Sequence, residues 1–372
     1  MRRIVNFYMV FIISICSFFE ISAQNNVPNK NSEPGIIEKH RNLSFEEIKS
    51  SSTGYYTIKF IDDYYIFERF PTETLQLFST MPARVIRAES TSGVRLRFLS
   101  DTKELKLTGK ILADSPQTEP FVILLNDSIF AVIPEKGSAG EFEQILKIPG
   151  ESENKIEICF PSYSKALIKN LQIDGNTSFR PLEKKGVLFA MGNSITQQGG
   201  RYMGYTDIVA RGLNLDLHNA GVGGHIFEAE SITFAYVENP SIITLAYGTN
   251  DWNGSRPADN ARIFLDKITS LYPSTPIIML EPIRRYRPVS KNKNKLAKNK
   301  DGVSLEAFRR DLRDIAKDYP TVKIIHYKKL MPDDPSLFPD GVHPSDSGHI
   351  IFGENLLRII KREIPELSGN KL

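Results

Sequence analysis

The fold class is decided by one stretch near the middle of this 372-residue chain, Val187-Leu188-Phe189-Ala190-Met191-Gly192-Asn193-Ser194. Its first five residues are an unbroken apolar run, which is typical of a parallel strand that is buried on both faces. Gly192 permits a sharp turn directly after the strand, and Ser194 follows at the strand's carboxyl end. Because ligands of open parallel sheets bind at that end of the strands, the stretch predicts an α/β fold with a serine in a functional loop.

Similar apolar runs alternate with amphipathic stretches towards the C-terminus. The runs cover Ile242–Ala246, Pro276–Leu280 and Val322–Ile325, and the amphipathic stretches cover Asn260–Tyr272, Leu305–Tyr319 and His349–Lys361. This alternation of strand and helix patterns predicts an open parallel sheet with helices on both faces. We therefore expect a three-layer α/β/α domain over residues 186–372.

The sequence before Gly186 has a different pattern. Short alternating runs such as Val94–Phe98 and Phe121–Leu125 recur between Tyr55 and Ile173. Turn-forming pairs, among them Asn126-Asp127 and Pro149-Gly150, separate these runs. Evenly spaced short strands of this kind are typical of β-sandwiches and jelly rolls. The pattern therefore predicts an all-β domain over residues 46–180.

The N-terminus has the pattern of a secretory signal peptide. It begins with Met1-Arg2-Arg3, continues with an apolar stretch from Tyr8 to Phe19 and reaches small residues at Ser22 and Ala23. We expect residues 1–23 to be removed and the mature chain to be exported to the periplasm or out of the cell, without stable membrane association. An uncleaved anchor is the alternative, although the apolar stretch is short for a membrane span. Residues 24–45 are polar and are predicted to form a leader or linker.

Composition and cysteine content restrict the partners and the chemistry. The formal charge of +3 comes from 47 basic and 44 acidic residues, an excess too small to indicate nucleic acid or an anionic membrane as a partner. Bulky Ile15 before Cys16 argues against a lipid anchor. Cleavage would leave Cys159 as the only cysteine, so we expect no internal disulfide and a buried Cys159.

A second candidate motif, Asp340-Gly341-Val342-His343-Pro344, lies near the C-terminus. A tight turn at Asp340-Gly341 would fold the carboxylate onto one ring nitrogen of His343. The other nitrogen would then face the serine, which is the arrangement that a general base requires. The alternative is a turn aspartate beside a surface histidine, ahead of a helix that Ser345 caps.

Two further loops follow predicted strands and carry hydrogen-bond donors. They are Asn219-Ala220-Gly221-Val222-Gly223-Gly224 and Tyr247-Gly248-Thr249-Asn250-Asp251. A glycine offers an unobstructed backbone N–H and an asparagine offers a side-chain amide, and both are donor types that oxyanion holes use. Each loop alone is equally compatible with a plain turn, just as Ser194 alone is compatible with a helix cap.

Together the four loops resemble, over about residues 186–365, the four sequence blocks of the SGNH or GDSL hydrolase superfamily. The resemblance implies a flavodoxin-like α/β/α domain and a serine hydrolase that needs no cofactor. It makes Ser194 the nucleophile and His343 the base, oriented by Asp340. It also implies an oxyanion hole formed by the N–H groups of Ser194 and Gly224 and by the side chain of Asn250.

One position departs from the family pattern, because Asn193 stands where the motif usually has Asp. Asparagine keeps a hydrogen-bonding oxygen but lacks the charge, so the loop geometry is expected to survive while the field at Ser194 changes. An α/β-hydrolase elbow would need glycine in place of Thr196. A metal site is a weaker alternative, because no His-Glu-x-x-His pattern or cysteine set supports it. It would use Asp340, His343, Asp346 and His349.

The predicted function is that of a secreted serine esterase that removes acyl groups, acetyl in particular, from carbohydrates. The resemblance extends to two-domain carbohydrate acetylesterases that have a β-sandwich in front of the hydrolase domain. Trp252 and Tyr202 are candidate aromatic contacts for a sugar, with packing at the domain edge as the alternative. His225, beside Gly224, is a candidate residue of the site lining.

Two other functions stay open. A lipid acyl-hydrolase or thioesterase would use the same triad in a narrow apolar cleft, and a carbohydrate-binding protein would keep the fold without turnover. The loop from Arg284 to Lys300 is rich in arginine and lysine. It either overhangs the site and attracts uronates or other acidic glycans, or it is an ordinary solvated loop.

Overall fold

The computed structural model describes residues 39–113, 119–134, 138–199, 201–286 and 296–368. The predicted signal peptide, residues 1–23, and most of the predicted leader lie outside these residues. The described residues belong to one compact unit, Glu38–Leu372. Among them, no helix combines the length and the apolar character that a membrane crossing requires.

Residues 39–181, called the β-rich part below, form two antiparallel sheets. Their strands are β1 (His40–Asn42), β2 (Ser52–Thr53), β3 (Thr57–Ile61), β4 (Tyr64–Glu68), β5 (Arg95–Ser100), β6 (Glu104–Ile111), β7 (Phe121–Leu125), β8 (Ser128–Ile133), β9 (Gly140–Lys147), β10 (Asn154–Cys159), β11 (Ala166–Asp174) and β12 (Arg180–Pro181). One sheet has the order β3-β4-β11-β6-β9, with β1 beside β11. The other has the order β12-β5-β10-β7-β8, with β2 beside β5.

The two sheets share one core. Leu105 and Leu107 of β6 lie in the same apolar cluster as Phe98 of β5 and Ile156 of β10, and buried residues alternate along β6 as the two-residue period of a strand requires. This arrangement is a β-sandwich, so the predicted β-rich architecture is confirmed. Three helices that the strand pattern did not predict are α1 (Phe45–Ser51), α2 (Thr72–Phe78) and α3 (Pro82–Glu89). Cys159 is buried and unpaired, as expected.

Residues 187–368, called the α/β part below, form a parallel sheet with helices. The strands are β13 (Val187–Gly192), β14 (Asp216–Gly221), β15 (Ile242–Ala246), β16 (Ile277–Leu280) and β17 (Val322–Ile325). They lie in the order β14-β13-β15-β16-β17. The helices are α4 (Ser194–Gln198), α5 (Tyr205–Gly212), α6 (Thr249–Asn253), α7 (Asn260–Leu271), α8 (Leu305–Ala316) and α9 (Asp346–Glu363).

Alternate residues of β13 face opposite helical layers. Leu188 and Ala190 share a cluster with residues of α5 and α9, whereas Phe189 and Met191 share a cluster with residues of α7 and α8. The sheet is therefore covered on both faces, which confirms the predicted α/β/α fold class. The domain boundaries given above, 46–180 and 186–372, stay a proposal.

The two parts are joined by buried contacts. Phe78 of α2 and Ala88 of α3 belong to the same apolar cluster as Phe189 of β13. Between the parts lies Arg69, which is 1 % exposed and donates hydrogen bonds to carbonyl oxygens on both sides. The acceptors are Arg87, Ala88 and Ser90 in the β-rich part, at 2.7, 3.1 and 2.7 Å, and Asn219 and Gly221 in the α/β part, at 2.6 and 3.1 Å.

Candidate active site

Ser194 is the first residue of α4, directly after β13. The turn between them requires Gly192, because a Cβ atom at this position would lie only 2.1 Å from Oγ1 of Thr196. Asn193 is buried, and its Oδ1 accepts a hydrogen bond from the Ile195 N–H at 3.1 Å. Asn193 thus caps the short helix with its side-chain oxygen, so the loop keeps its capping bond without the usual aspartate.

His343 links Ser194 to Asp340. Nε2 of His343 lies 2.8 Å from Oγ of Ser194, and Nδ1 lies 2.6 Å from Oδ2 of Asp340. An ionised carboxylate only accepts hydrogen bonds, so Nδ1 carries the hydrogen in this pair. In the neutral ring Nε2 is then free to accept the Ser194 hydroxyl proton, which is the tautomer that general base catalysis needs.

Asp340 is fixed by its own turn. Oδ1 accepts hydrogen bonds from the backbone N–H groups of Val342 and His343, at 2.8 and 2.7 Å. Partial burial raises the pKa of the Asp340 carboxyl, but the hydrogen bonds from His343 and Val342 outweigh it and hold this pKa below its usual range. The carboxylate is therefore charged at neutral pH and oriented towards the imidazole.

The predicted oxyanion donors lie on two loops beside the serine. The N–H groups of Ser194 and Gly224 have no hydrogen-bond acceptor within the part of the chain that the structure describes. Gly224 has a φ of 80°, a conformation that favours glycine. Asn250 lies at the start of α6, and its Nδ2 donates to the carbonyl oxygen of His225 at 2.9 Å. One hydrogen of this amide remains for a ligand.

Ser194, Gly224, Asp340 and His343 line a common cavity of about 600 Å³, called the Ser194 cavity below. This volume lies in the usual range for small-molecule sites. Its lining combines charged and polar side chains with the rings of two prolines and a tyrosine; the other lining residues are Arg87, Tyr163, Gln198, Pro339, Pro344, Ser345 and Asp346. The Asn250 side chain is hydrogen-bonded to the loop that carries Gly224 but is not among the residues that line this cavity.

Two lining residues come from the β-rich part, and the sequence patterns did not reveal them. The Tyr163 hydroxyl donates a hydrogen bond to the carbonyl oxygen of Ser194 at 3.3 Å. The backbone N–H of Tyr163 is held in turn by the carboxylate of Glu119, at 3.3 Å, and burial raises the pKa of this carboxyl. Arg87, from α3, donates from Nη1 to the carbonyl oxygen of Gly223 at 3.0 Å.

Trp252, a candidate sugar contact in the sequence, is buried in the structure. Its side chain is only 1 % exposed and packs in the core against residues of α7 and α8, while Nε1 donates to the carbonyl oxygen of Val303 at 3.2 Å. Trp252 follows Asn250 by two positions on α6, and residues two apart do not share a helix face. Trp252 therefore faces the core.

The other two predicted substrate contacts also lie outside the lining of the Ser194 cavity. Tyr202 is half-buried against Val122, Leu124 and Cys159 and lines a different cavity, of about 420 Å³. His225 is buried, with Nδ1 3.2 Å from the Tyr247 hydroxyl. Burial lowers the pKa of the His225 imidazole, so this ring is a neutral packing group.

Among the described residues, one group of three side chains has ligating atoms close enough to share a metal ion. It consists of His40, Glu104 and Asp174 in the β-rich part, with these atoms within 4.8 Å of one another. Lys39 and Lys147 both pair with Glu104 and neutralise its charge. The alternative metal set of the sequence is dispersed: Asp346 pairs with Arg201, and Nδ1 of buried His349 accepts the N–H of Tyr205 at 3.4 Å.

The basic loop is only partly described, because Arg287, Lys291, Lys293 and Lys295 lie outside the described residues. Arg284 pairs with Asp333 at 2.8 Å. The guanidinium of Arg285 lies over the ring of Trp252, 5.9 Å from its centroid. Lys298 and Lys300 complete the described basic residues of this loop.

A three-layer α/β/α domain with a serine, a histidine and an aspartate in the loops beyond its strands is the arrangement of the SGNH-type hydrolases. Residues 190–351 match the model of the GDSL-like Lipase/Acylhydrolase family. This segment of the chain is similar to the GDSL-like hydrolases, and the protein is by class an enzyme that hydrolyses acyl esters. No curated protein matched the chain.

Solved structures with the same fold span most of the chain. The salicylyl-acyltransferase SsfX3 from a tetracycline biosynthetic pathway is 16% identical, with a TM-score of 0.72 over 89% of this chain and 98% of that one. A protein described as a GDSL-like lipase from Bacteroides ovatus is 17% identical, with a TM-score of 0.69 over 88% and 98%. The acetyl xylan esterase Est2A from the rumen bacterium Butyrivibrio proteoclasticus is 13% identical, with a TM-score of 0.52 over 74% and 90%. At these identities the likeness establishes a shared fold.

Proposed function

We propose that this protein is an exported serine esterase that removes acyl groups, acetyl in the first place, from carbohydrates. The observation that carries the proposal is the chain of hydrogen bonds from Asp340 through His343 to Ser194, at 2.6 and 2.8 Å, in the lining of the Ser194 cavity. Export rests on the predicted signal peptide, for which the mature chain is expected to begin at Gln24, as N-terminal sequencing of the secreted protein would check.

The reaction is a two-step acyl transfer. His343 Nε2 takes the proton of Ser194 Oγ as this oxygen attacks the ester carbonyl carbon. The oxyanion of the tetrahedral intermediate accepts hydrogen bonds from the N–H groups of Ser194 and Gly224 and from the Asn250 amide. His343 then gives the proton to the leaving sugar hydroxyl, and the acyl group stays on Ser194. Water, activated by the same imidazole, frees the acid and restores the serine.

The lining of the Ser194 cavity supports a small acyl group on a polar substrate. Apart from Pro339, Pro344 and Tyr163, the lining residues would offer a long acyl chain polar or charged side chains. About 0.8 kcal/mol is forfeited for each methylene that finds no apolar contact. This favours a short-chain ester over the lipid acyl-hydrolase alternative. The fold shared with an acetyl xylan esterase supports a polysaccharide as the acylated partner.

Replacement of Ser194 by Ala tests the proposal. We expect hydrolysis of 4-nitrophenyl acetate and of acetylated xylan to fall by about 10³-fold or more, because no nucleophile remains, while circular dichroism and the unfolding midpoint stay those of the wild type. Ser50→Ala is the matched control, since Ser50 is an exposed serine on α1. An organophosphonate should label the wild type and not the Ser194→Ala protein.

Retained turnover in Ser194→Ala would exclude Ser194 as the nucleophile. Faster hydrolysis of long-chain esters than of acetylated sugars by the wild type would favour the lipid acyl-hydrolase. A wild type that binds oligosaccharides and is neither labelled nor active would be the carbohydrate-binding alternative. Because an acyl-enzyme can also be attacked by an alcohol, free acetate is quantified to separate hydrolysis from transfer.

A further inference from the structure

Arg87 reaches the Ser194 cavity from the β-rich part. It lies in the last turn of α3, and its side chain runs along the loop that carries Gly224. A Cβ atom on Gly223 would lie 2.7 Å from Cδ of Arg87, and one on Gly224 would lie 3.4 Å from Nη1. The guanidinium is therefore packed directly beside the predicted oxyanion donor, within the lining that Ser194 shares.

The charge of Arg87 is not neutralised by a carboxylate of the described residues. Two nearby arginines differ in this respect, because Arg84 pairs with Glu228 at 3.0 Å and Arg201 pairs with Asp346. The guanidinium has five N–H donors. Within the described part of the chain one of them is used, by the neutral carbonyl oxygen of Gly223. Arg87 is half-buried, so part of its hydration is already lost.

The carboxylates around the cavity are all engaged elsewhere. Asp340 holds His343 and Asp346 holds Arg201. Glu119 accepts the N–H groups of Ser162 and Tyr163, at 2.8 and 3.3 Å. The guanidinium of Arg87 therefore lines the cavity without an ion-pair partner among the carboxylates of the described residues. A carboxylate is a group that a guanidinium binds through two parallel charge-assisted hydrogen bonds.

We propose that Arg87 forms an anion subsite that binds a carboxylate carried by the substrate next to its scissile ester. The inference rests on the proposed function and narrows its substrate class to acyl esters with a nearby carboxylate. This carboxylate belongs either to the sugar, as in an acetylated uronate, or to the acyl group, as in a hemisuccinate. Both sources present the same chemistry to the guanidinium, and the experiment distinguishes them.

Two pairs of substrates test the subsite. One pair is acetylated oligogalacturonate and acetylated xylo-oligosaccharide, and the other is 4-nitrophenyl hemisuccinate and 4-nitrophenyl acetate. For each pair the ratio of kcat/KM for the charged substrate to that for the neutral one is measured in the wild type and in Arg87→Gln. We expect the ratio to fall about 10- to 100-fold in one pair, as hydrogen bonds to charged groups imply. The pair that responds identifies the source of the carboxylate.

Two further variants serve as an intermediate case and as a control. Arg87→Lys keeps the charge without the planar fork, so its ratio should lie between those of the wild type and Arg87→Gln. Arg310→Gln removes an exposed arginine of α8, outside the cavity, and should leave both ratios unchanged. Ratios that stay the same in Arg87→Gln for both pairs would overturn the proposal, whatever happens to the absolute rates.

A binding experiment separates the subsite from the catalytic proposal. Calorimetry on the Ser194→Ala protein uses trigalacturonate, succinate and, as the neutral probe, xylotriose. We expect trigalacturonate or succinate to lose about tenfold or more in affinity when Arg87→Gln is added, with no such change for xylotriose. If this Arg87-dependent binding is found and the wild type hydrolyses none of the esters, the proposed esterase is wrong and the subsite stands. If neither anion shows an Arg87-dependent affinity, the subsite is wrong.

Discussion

The α/β part supplies the reacting groups of the Ser194 cavity, whereas the β-rich part supplies two residues of its lining. Ser194, Asp340 and His343 come from short loops of the α/β part. Arg87 and Tyr163 reach the same cavity from α3 and from the loop after β10. Under the proposed function and the proposed anion subsite, the chemistry depends on the α/β part and the choice of substrate depends on the β-rich part.

The largest effect is expected inside the α/β part. Asp340→Asn replaces an acceptor that fixes the His343 tautomer with an amide that offers N–H groups as well. We expect kcat for a small acetyl ester to fall about 10³- to 10⁴-fold, with little change in KM, because the imidazole loses its orientation. Asp334→Asn, at an exposed aspartate that caps the Ser336 N–H, serves as the control. A variant that keeps nearly all of its kcat would show that Asp340 does not orient the base.

A smaller effect is expected where the two parts meet. Burial lowers the pKa of Arg69 to about 9, so it is still charged at neutral pH. Arg69→Met removes the guanidinium and leaves five buried carbonyl oxygens without this donor. We expect a loss of about 3–4 kcal/mol in the free energy of unfolding, measured with urea, and a smaller loss for Arg69→Lys.

The kcat of the Arg69→Met protein tests whether Arg69 also supports the site. Below the unfolding transition, Arg69→Met is expected to lower kcat, because Asn219 and Gly221, which lead into the Gly224 loop, lose their hydrogen bonds from Arg69. Arg180→Met, at an exposed arginine paired with Glu153 at 2.9 Å, should change neither stability nor kcat appreciably. Unchanged stability in Arg69→Met would mean that Arg69 does not contribute to holding the two parts together.

The smallest expected effect is a loss of stability at acid pH, which arises from His349 in the α/β part. Burial, with the charges of Arg201 and His343, lowers the pKa of His349 to about 3. The unfolded chain binds a proton at this residue below a pH of about 6.5, while the folded chain does not. Stability is therefore fully present above this pH and is lost as the pH falls towards 3, by about 1.4 kcal/mol per pH unit.

His349→Gln removes this dependence. The variant is expected to be less stable than the wild type at pH 7, because the ring no longer stacks on Tyr205. Between pH 7 and pH 5, however, it should lose about 2 kcal/mol less of its free energy of unfolding than the wild type does. Urea unfolding at the two pH values measures the difference, and equal losses in both proteins would show that His349 is protonated in the fold.

The site could be predicted from the sequence wherever its residues lie close together in the chain. Residues 187–194 combine a buried strand, a required glycine and a serine, so strand, turn and nucleophile were predicted together. His343 follows Asp340 within one turn, and this short spacing made the pair visible. Trp252 lies only two positions after Asn250 in the sequence, but the helical geometry of α6 separates the two side chains, so an aromatic residue near a site loop in sequence need not contact the substrate.

The sequence did not predict the lining from the β-rich part. Arg87 lies more than one hundred positions before Gly223 in the chain, yet the two are in contact. Such a contact depends on how α3 packs against the α/β part, and no local pattern near Arg87 marks it. Arg69 was missed for the same reason, since an isolated arginine before a short helix gives no sign of its burial.

The hydrogen bonds that Arg69 donates to carbonyl oxygens of both parts limit how the β-rich part and the α/β part can be separated or exchanged. A fragment starting at Gly186 would contain every residue of the proposed reaction, yet the acceptors on Asn219 and Gly221 would lose their donor and the apolar surface under α2 and α3 would face water. The part of the chain that must be kept together is therefore larger than residues 190–351, which match the family. Exchanging the β-rich part between relatives would alter substrate choice only if the incoming sandwich brought its own equivalent of Arg69.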